Sequence, residues 1–474
     1  MSLAHRLLLA ALLFAALGAC KKTSTDADSA AKATPATPAT DACQGAKQEG
    51  PLAWFEDDYA GALACAAQKK LPLVVDLWAP WCHTCLSMQS TVFKDPAMAA
   101  MASRFVFAAI DTDREQNAAA VAKLPLSAWP TFYVLAPEDG SVLARFAGGA
   151  SVAQFAAFLD AGAAARTAVD GAAKHLLAAE RALTAKDLAT ADTELTAALA
   201  AAPATWVRTP DALVSLIHTK RKRKDTAGCF ALGQASLDQT GNAASATDFA
   251  GIALDCAGEL AKTEPEKVTA FRERVIVRLQ ALVADSSAPL SLDDRSDAMS
   301  YLREALTTAG KKEEALAVAE KQRVLLEEAI AKAADPVAAS TYNYQLADVC
   351  VALGRPLDAI ASLEKSAHAL PKEYDPAARL GWVYLEAGKL DEAAKWTDAS
   401  LSLVYGPRKA RVLTQRANIE KKRANKDGER TYRQAVVALW ESLPAEQKNP
   451  EALAKAKADL VAVDAPPAPV PATK

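Results

Sequence analysis

The sequence predicts an α/β domain, a mixed central sheet flanked by helices, followed by an all-α domain of helical repeats. Three observations predict it. Between residues 44 and 163, short apolar runs of strand type alternate with helical segments. Beyond 165 the strand signals vanish and Ala, Leu, Glu and Lys dominate. Finally, two similar turns in the helical part, Gly354 in VALGRPLDAI and Gly388 in LEAGKLDEAA, differ by 388 − 354 = 34 positions.

The N-terminal segment comes first. MSLAHR supplies positive charge and LLLAALLFAALG an apolar core. Twelve residues would span only about 18 Å as a helix against roughly 30 Å of hydrocarbon, so residues 1–19 read as a cleaved signal peptide. The L-G-A-C at 17–20 resembles a bacterial lipobox. That resemblance implies lipid on Cys20, attachment to the membrane through it, and a place on the periplasmic side of the cell envelope. With Lys21 rather than Asp after the cysteine, the resemblance to Gram-negative lipoproteins implies delivery to the outer membrane. Residues 20–43 then form a lipidated Ala/Pro/Thr tether without large apolar residues, with a reach of about 25 Å.

The α/β domain is expected over 44–163. WFEDDYAGALACAAQKK places Phe55, Tyr59 and Leu63 four apart, as on an amphipathic helix. LPLVVDLW is a buried strand, Cys82 to about Ala102 a helix interrupted near Lys94-Asp95-Pro96, and RFVFAAID a second buried strand. TFYVLAPEDGSVLARF is a hairpin turning at Asp139-Gly140, and SVAQFAAFLDAG a closing helix capped by Ser151.

The helical domain is expected over 164–461, with a disordered tail at 462–474. Its 34-residue spacing is that of tetratricopeptide repeats, and Leu380-Gly381 and Tyr384 resemble the first-helix pattern of that family. Leu346-Ala347 and Cys350 stand in the equivalent places one repeat earlier, and Pro371 closes that repeat. TTAGKKEEAL at 307–316 and LTAKDLATAD at 183–192 are similar but out of phase. The resemblance implies stacked helix pairs with a protein-binding surface.

The chain's 474 residues carry a net charge of −3, so there is no nucleic-acid footprint. KRKRK at 220–224 reads as a solvated helix end or loop. An oxidising compartment makes the eight cysteines candidates for disulfides. With Cys20 lipidated, Cys229–Cys256 and Cys43–Cys65 are possible structural bridges, and Cys350 is the odd, buried thiol.

Chemistry concentrates in DLWAPWCHTC at 76–85. A structural zinc site needs a second Cys-x-x-Cys or a spaced His pair, and a c-type haem needs His where Leu86 stands, so neither metal nor haem is expected. A redox pair has a reason at each position. At the N-terminus of a helix, Cys82 would be a stabilised, attacking thiolate. Cys85, one turn on, would resolve the mixed disulfide. Trp78 and Trp81 shield the pair, and Asp76, isolated in an apolar strand, would accept the Cys85 proton.

VVDLWAPWCHTC looks like the thioredoxin active-site stretch, and W-P-T at 129–131 is similar to the cis-proline segment of that family. WFEDDYAGAL, TVFKDPAM and FVFAAIDTD look closest to the periplasmic C-terminal domains of DsbD-type thiol:disulfide reductases. The resemblance implies that Pro130 faces the disulfide, that the backbone of Trp129 aligns an extended substrate, and that no diffusible cofactor is required. The partners it implies are protein substrates with cysteines or disulfides and a thiol electron donor or acceptor protein. The sequence departs from thioredoxin at His83-Thr84, where that protein has Gly-Pro. A charged His83 would favour the Cys82 thiolate and make the pair more oxidising. The direction of reaction therefore stays open between reductase, oxidase and isomerase. A non-catalytic scaffold using the repeats for protein binding is the alternative.

Overall fold

In the computed structural model, which describes residues 41–126, 128–167 and 169–464, six strands form one sheet in the order β1-β2-β4-β3-β5-β6. Central β3 (Leu73–Trp78) pairs in parallel with β4 (Val106–Asp111) and antiparallel with β5 (Thr131–Leu135). β5 turns back as β6 (Val142–Ala147), while β2 (Leu52–Glu56) lies parallel to β4 and carries β1 (Lys47–Glu49) at the edge. A strand with neighbours on both sides and helices on both faces has no solvent face, which is why LVVDL reads as a continuous apolar run.

Helix α1 (Tyr59–Lys69) covers one face of this sheet; α2 (His83–Ser90) and α3 (Val152–Ala164) cover the other. On the α3 side Phe93, Phe132, Phe155 and Phe158 pack ring against ring, their neighbouring centroids 5.0–6.5 Å apart. Ser151 caps α3 in a reciprocal box with Gln154. The segment after α2 breaks into short helical turns at Val92–Lys94 and Pro96–Met98, because Pro96 cannot continue a helix and Asp95 caps the second turn instead.

One expectation is corrected. The four-residue spacing of Phe55 and Tyr59 does not lie on one helix: Phe55 belongs to β2 and is buried against α1. Asp57 turns the chain through φ 53°, and Asp58 then caps α1 by accepting from the Gly61 N–H at 2.8 Å. The β1–β2 hairpin leaves no signal in the sequence, since three of its eight strand residues, Lys47, Gln48 and Glu49, are all polar and exposed at the sheet edge and carry no alternation.

From Gly171 to Val461 the described chain is helical. Pairs such as Tyr374–Glu386 with Leu390–Leu401, and Lys409–Lys422 with Lys426–Ser442, pack side by side. Their connecting turns share a left-handed residue: Gly354, Gly388, Gly310 and Lys186, in turns that the sequence marks, but also Lys224 and Ala424. Non-glycine residues at those last two turns hide the repeat from a glycine-based reading.

Cys229 and Cys256 are bonded between neighbouring helices, Cys43 is bonded to Cys65 of α1, and Cys350 is free and buried. The end of the expected tether is thus tied down; the Ala42 N–H also donates to Gln68 at 2.9 Å. KRKRK closes the helix Thr209–Lys222, with Lys220 and Arg223 bound to Asp192 and Arg221 to Asp255. The signal segment, Cys20, the tether to residue 40 and the tail from 465 lie outside the described residues. Among the described residues no helix is long and apolar enough to cross a membrane.

Candidate active site

β3 ends at Trp78, and A-P-W carries the chain into α2, so the sheet itself aims Cys82 at the first turn of that helix. Cys82 is the N-cap residue: its sulfur accepts the Cys85 backbone N–H at 3.0 Å, so a thiolate there would meet a preformed donor and the positive end of the helix. Cys82 and Cys85 are joined as a disulfide, Cα–Cα 5.2 Å. Cys85 is fully buried and Cys82 keeps 4% exposure.

Asp76 sits in β3 opposite Ala109 and Phe132, buried, with its Oδ1 lacking any hydrogen-bond partner. Burial without compensation holds its pKa well above the usual carboxylate range. The Trp129–Pro130 peptide is cis. Trp129 stays 37% exposed, donates from Nε1 to Thr112 at 2.9 Å, and its ring lies 5.0 Å from that of Trp81. Trp81 in turn donates to Asp113 at 2.7 Å.

The repeats complete the site from the other side. His83 Nδ1 lies 3.0 Å from Asp293 and 3.9 Å from Asp297, both on the helix Leu292–Thr308. Burial pulls the imidazole towards neutrality, but the two carboxylates and the hydrogen bond push its pKa up to about 10. Its ring also stacks on Tyr344 at 5.8 Å. Ser87 donates to Ser291 at 3.2 Å, and Gln154 to Ser245 at 2.8 Å. From the far end of the helical region, Tyr405 donates to Asp111, and Gln447 donates to the carbonyls of Thr112 and Asp113 at 3.3 and 3.2 Å. The result is a cleft of about 250 Å³ in which Trp81, Cys82, His83, Thr84 and Trp129 face Tyr344, Arg379, Arg408 and Arg411.

His83, Asp293 and Asp297 have their ligand atoms within 4.8 Å of one another, close enough to hold a metal ion. In the structure the imidazolium itself supplies the positive charge between the two carboxylates.

A thioredoxin-like family model matches residues 54–137. The α/β domain is thioredoxin-like. Two curated relatives, the thiol:disulfide interchange proteins DsbD of two strains of Vibrio vulnificus, are 41% identical over 54 residues, 11% of this chain and only 9% of their own length. Among solved structures, the helical region is similar to a tetratricopeptide repeat protein from Parabacteroides merdae, at 13% identity and TM-score 0.40 over 61% of this chain and 98% of that one.

Of the residues that the motifs single out, Trp81, Cys82, His83, Thr84 and Trp129 line this cleft, Cys85 is bonded to Cys82, Pro130 follows Trp129 across the cis peptide, and Asp76 lines a separate cavity with Trp78 and Pro80. The structure adds Asp293, Asp297, Tyr344, Arg379, Arg408 and Arg411, none of which the sequence marks. They stand more than 160 positions downstream in ordinary amphipathic helices, and only the docking of the two parts makes them neighbours.

Proposed function

We propose that the chain is a thiol–disulfide oxidoreductase of the cell envelope, anchored through lipid on Cys20, whose helical repeats hold cysteine-bearing protein clients over Cys82. The observation that carries this reading is the Cys82–Cys85 disulfide at a helix N-terminus, with the Cys85 N–H on the Cys82 sulfur and an uncompensated buried acid in the strand that leads into it. In this reading Cys82 attacks, Cys85 resolves, Asp76 takes the Cys85 proton, and Trp129 and Pro130 align the substrate. His83 supports the Cys82 thiolate, while Trp81 and Thr84 shape the cleft. The matched relatives bear the name of an interchange activity, which favours exchange with a second thiol protein over chemistry needing a diffusible cofactor.

The test is Cys85→Ala in the full chain. Without the resolving sulfur, Cys82 should accumulate mixed disulfides with clients, and Cys82→Ala should abolish them. Absence of trapped species, together with no disulfide exchange in vitro, would refute the reading. Incorporation of labelled acyl chains that is lost in Cys20→Ala tests the anchor.

A second reading has its own support. The repeats are hydrogen-bonded to the active-site edge of the sheet at Asp111, Thr112 and Asp113 and ion-paired to His83, so the thioredoxin-like domain could serve as a docked core of a scaffold. The same Cys85→Ala experiment separates the two.

A further inference from the structure

The cleft over Cys82 gathers four cations, of which only two have a carboxylate in contact among the described residues. Two of its cations have counter-ions: His83 has Asp293 and Asp297, and the Arg379 guanidinium is bound to Asp375 through two nitrogens at 3.0 and 2.9 Å. Arg408 and Arg411 form no ion pair among the described residues. Arg408 lies over the Trp81 ring, 4.3 Å from its centroid, one residue in sequence from the attacking sulfur. Asp113 and Asp375 act on Arg408 from a distance without touching it, and Asp113 is already engaged by Trp81. Burial and the neighbouring Arg379 bring Arg408 down to about 10, still cationic at neutral pH. Two like charges stand beside the disulfide with no carboxylate in contact with either among the described residues, Asp113 and Asp375 acting only from a distance, an arrangement that a ligand's negative charge in contact would relieve.

We propose that this cleft selects disulfides that carry a carboxylate close to the sulfur, with Arg408 and Arg411 as the specificity-determining residues. The inference rests on the oxidoreductase reading and names the substrate class of that site. A cleft of about 250 Å³ admits a cysteine and one flanking acidic group, not a globular surface. The carboxylate can come from a small dicarboxylate disulfide or from an acidic residue beside cysteine in an extended polypeptide. In either case the Cys82 thiolate attacks one substrate sulfur, the substrate S–S bond breaks, and the first thiolate leaves and takes up a proton. Cys85 then gives its proton to Asp76 and attacks the Cys82 sulfur, breaking the mixed disulfide and releasing the second sulfur as a thiolate that takes up a proton from solvent. The substrate gains two electrons and the protein is left as the Cys82–Cys85 disulfide.

The experiment uses the full chain, reduced at Cys82–Cys85 by dithiothreitol and freed of it. Stopped-flow tryptophan fluorescence follows its oxidation by three disulfides of similar length: 3,3′-dithiodipropionate, bis(2-hydroxyethyl) disulfide and cystamine. The dianion should react at least about tenfold faster than the dication, and the ratio should collapse at high salt. Arg411→Glu, a change at an exposed side chain, should shrink or invert the ratio, and Arg408→Gln should reduce it. Oxidised peptides with Asp or Lys beside cysteine form the second arm. A preference confined to the small disulfides identifies a small-molecule substrate; one that appears or grows in the peptides identifies a polypeptide. Equal rates throughout, or a preference for cystamine, would overturn the inference while leaving the oxidoreductase reading intact. No exchange with any disulfide would remove both.

Discussion

Replacing Asp293 by asparagine probes the joint between the thioredoxin-like domain and the repeats. His83 donates to Asp293 at 3.0 Å, its side chain is 23% exposed, and that of Asp293 is 1% exposed. Burial opposes the imidazolium, yet the carboxylates hold its pKa at about 10. At pH 7 the charged form is favoured by 10 − 7 = 3 pH units, which at about 1.4 kcal/mol per unit amounts to about 4 kcal/mol. Part of this is offset, because burial raises the Asp293 pKa and makes its own ionisation costly. The net cost of Asp293→Asn at neutral pH should therefore be about 2–4 kcal/mol. The sign with pH follows from the raised His83 value. Its contribution is complete below the free-histidine value of about 6.5 and is lost as pH rises through about 10. Urea denaturation at pH 6, 8 and 10, with the imidazole titration followed by NMR, should show wild type losing its advantage over the variant at the alkaline end. A wild-type His83 that titrates near 6.5, or a variant equally stable at pH 6, would refute this account of the joint.

Three further outcomes are expected. Asp76→Asn should slow resolution of the mixed disulfide by about 10²-fold, measured by single-turnover quench. Because burial raises the Asp76 pKa, the wild type should also lose stability relative to this variant as pH rises above about 4, seen in thermal melts at pH 4 and 7. Gly406→Ala should loosen the far end of the repeats from the sheet: Gly406 has φ 57°, and an added Cβ would meet the Asp113 carbonyl oxygen at 2.0 Å. Faster limited proteolysis after residue 405 and easier labelling of reduced Cys82 would show it; unchanged rates would count against the docking. Removing the Cys229–Cys256 bridge with serines should cost about 3–4 kcal/mol, the loop-closure value for a separation of 27 residues, read from urea midpoints.

The sheet was legible because its central strands are buried on both faces, and LVVDLW and VFAAID therefore appear as apolar runs without polar alternation, broken only by Asp76 and closed by Asp111. Ser151 was legible for the same local reason, since a cap and its N3 partner lie within one turn. Phe55 misled because a four-residue interval fits both a helix face and an accidental strand-to-helix step across Asp57. The half of the site from the thioredoxin-like domain lies mostly in one ten-residue stretch. The half from the repeats could not be read. Asp293 and Asp294 resemble an ordinary acidic first turn, and Arg408 and Arg411 an ordinary basic helix start, until the fold sets them against His83 and Trp81.

The docking also bears on how a client reaches the sulfur. Two larger grooves flank the Cys82 cleft. One, of about 900 Å³, leaves from His83 and Thr84 along Asp248, Tyr301 and Asp348. The other, of about 760 Å³, leaves from Trp81 and Trp129 along Val436 and Trp440. Because both grooves share walls with the cleft, a segment lying along them would cross Cys82 midway. One arm would meet carboxylates and the other apolar and arginine side chains. A folded client could present a disulfide here only if the repeats moved away, which requires giving up the Asp293 and Tyr405 contacts together. An extended client needs no such movement. Rates for a folded substrate should accordingly rise when either contact is weakened, whereas rates for a peptide should not, and this contrast distinguishes an enclosing guide from a lid.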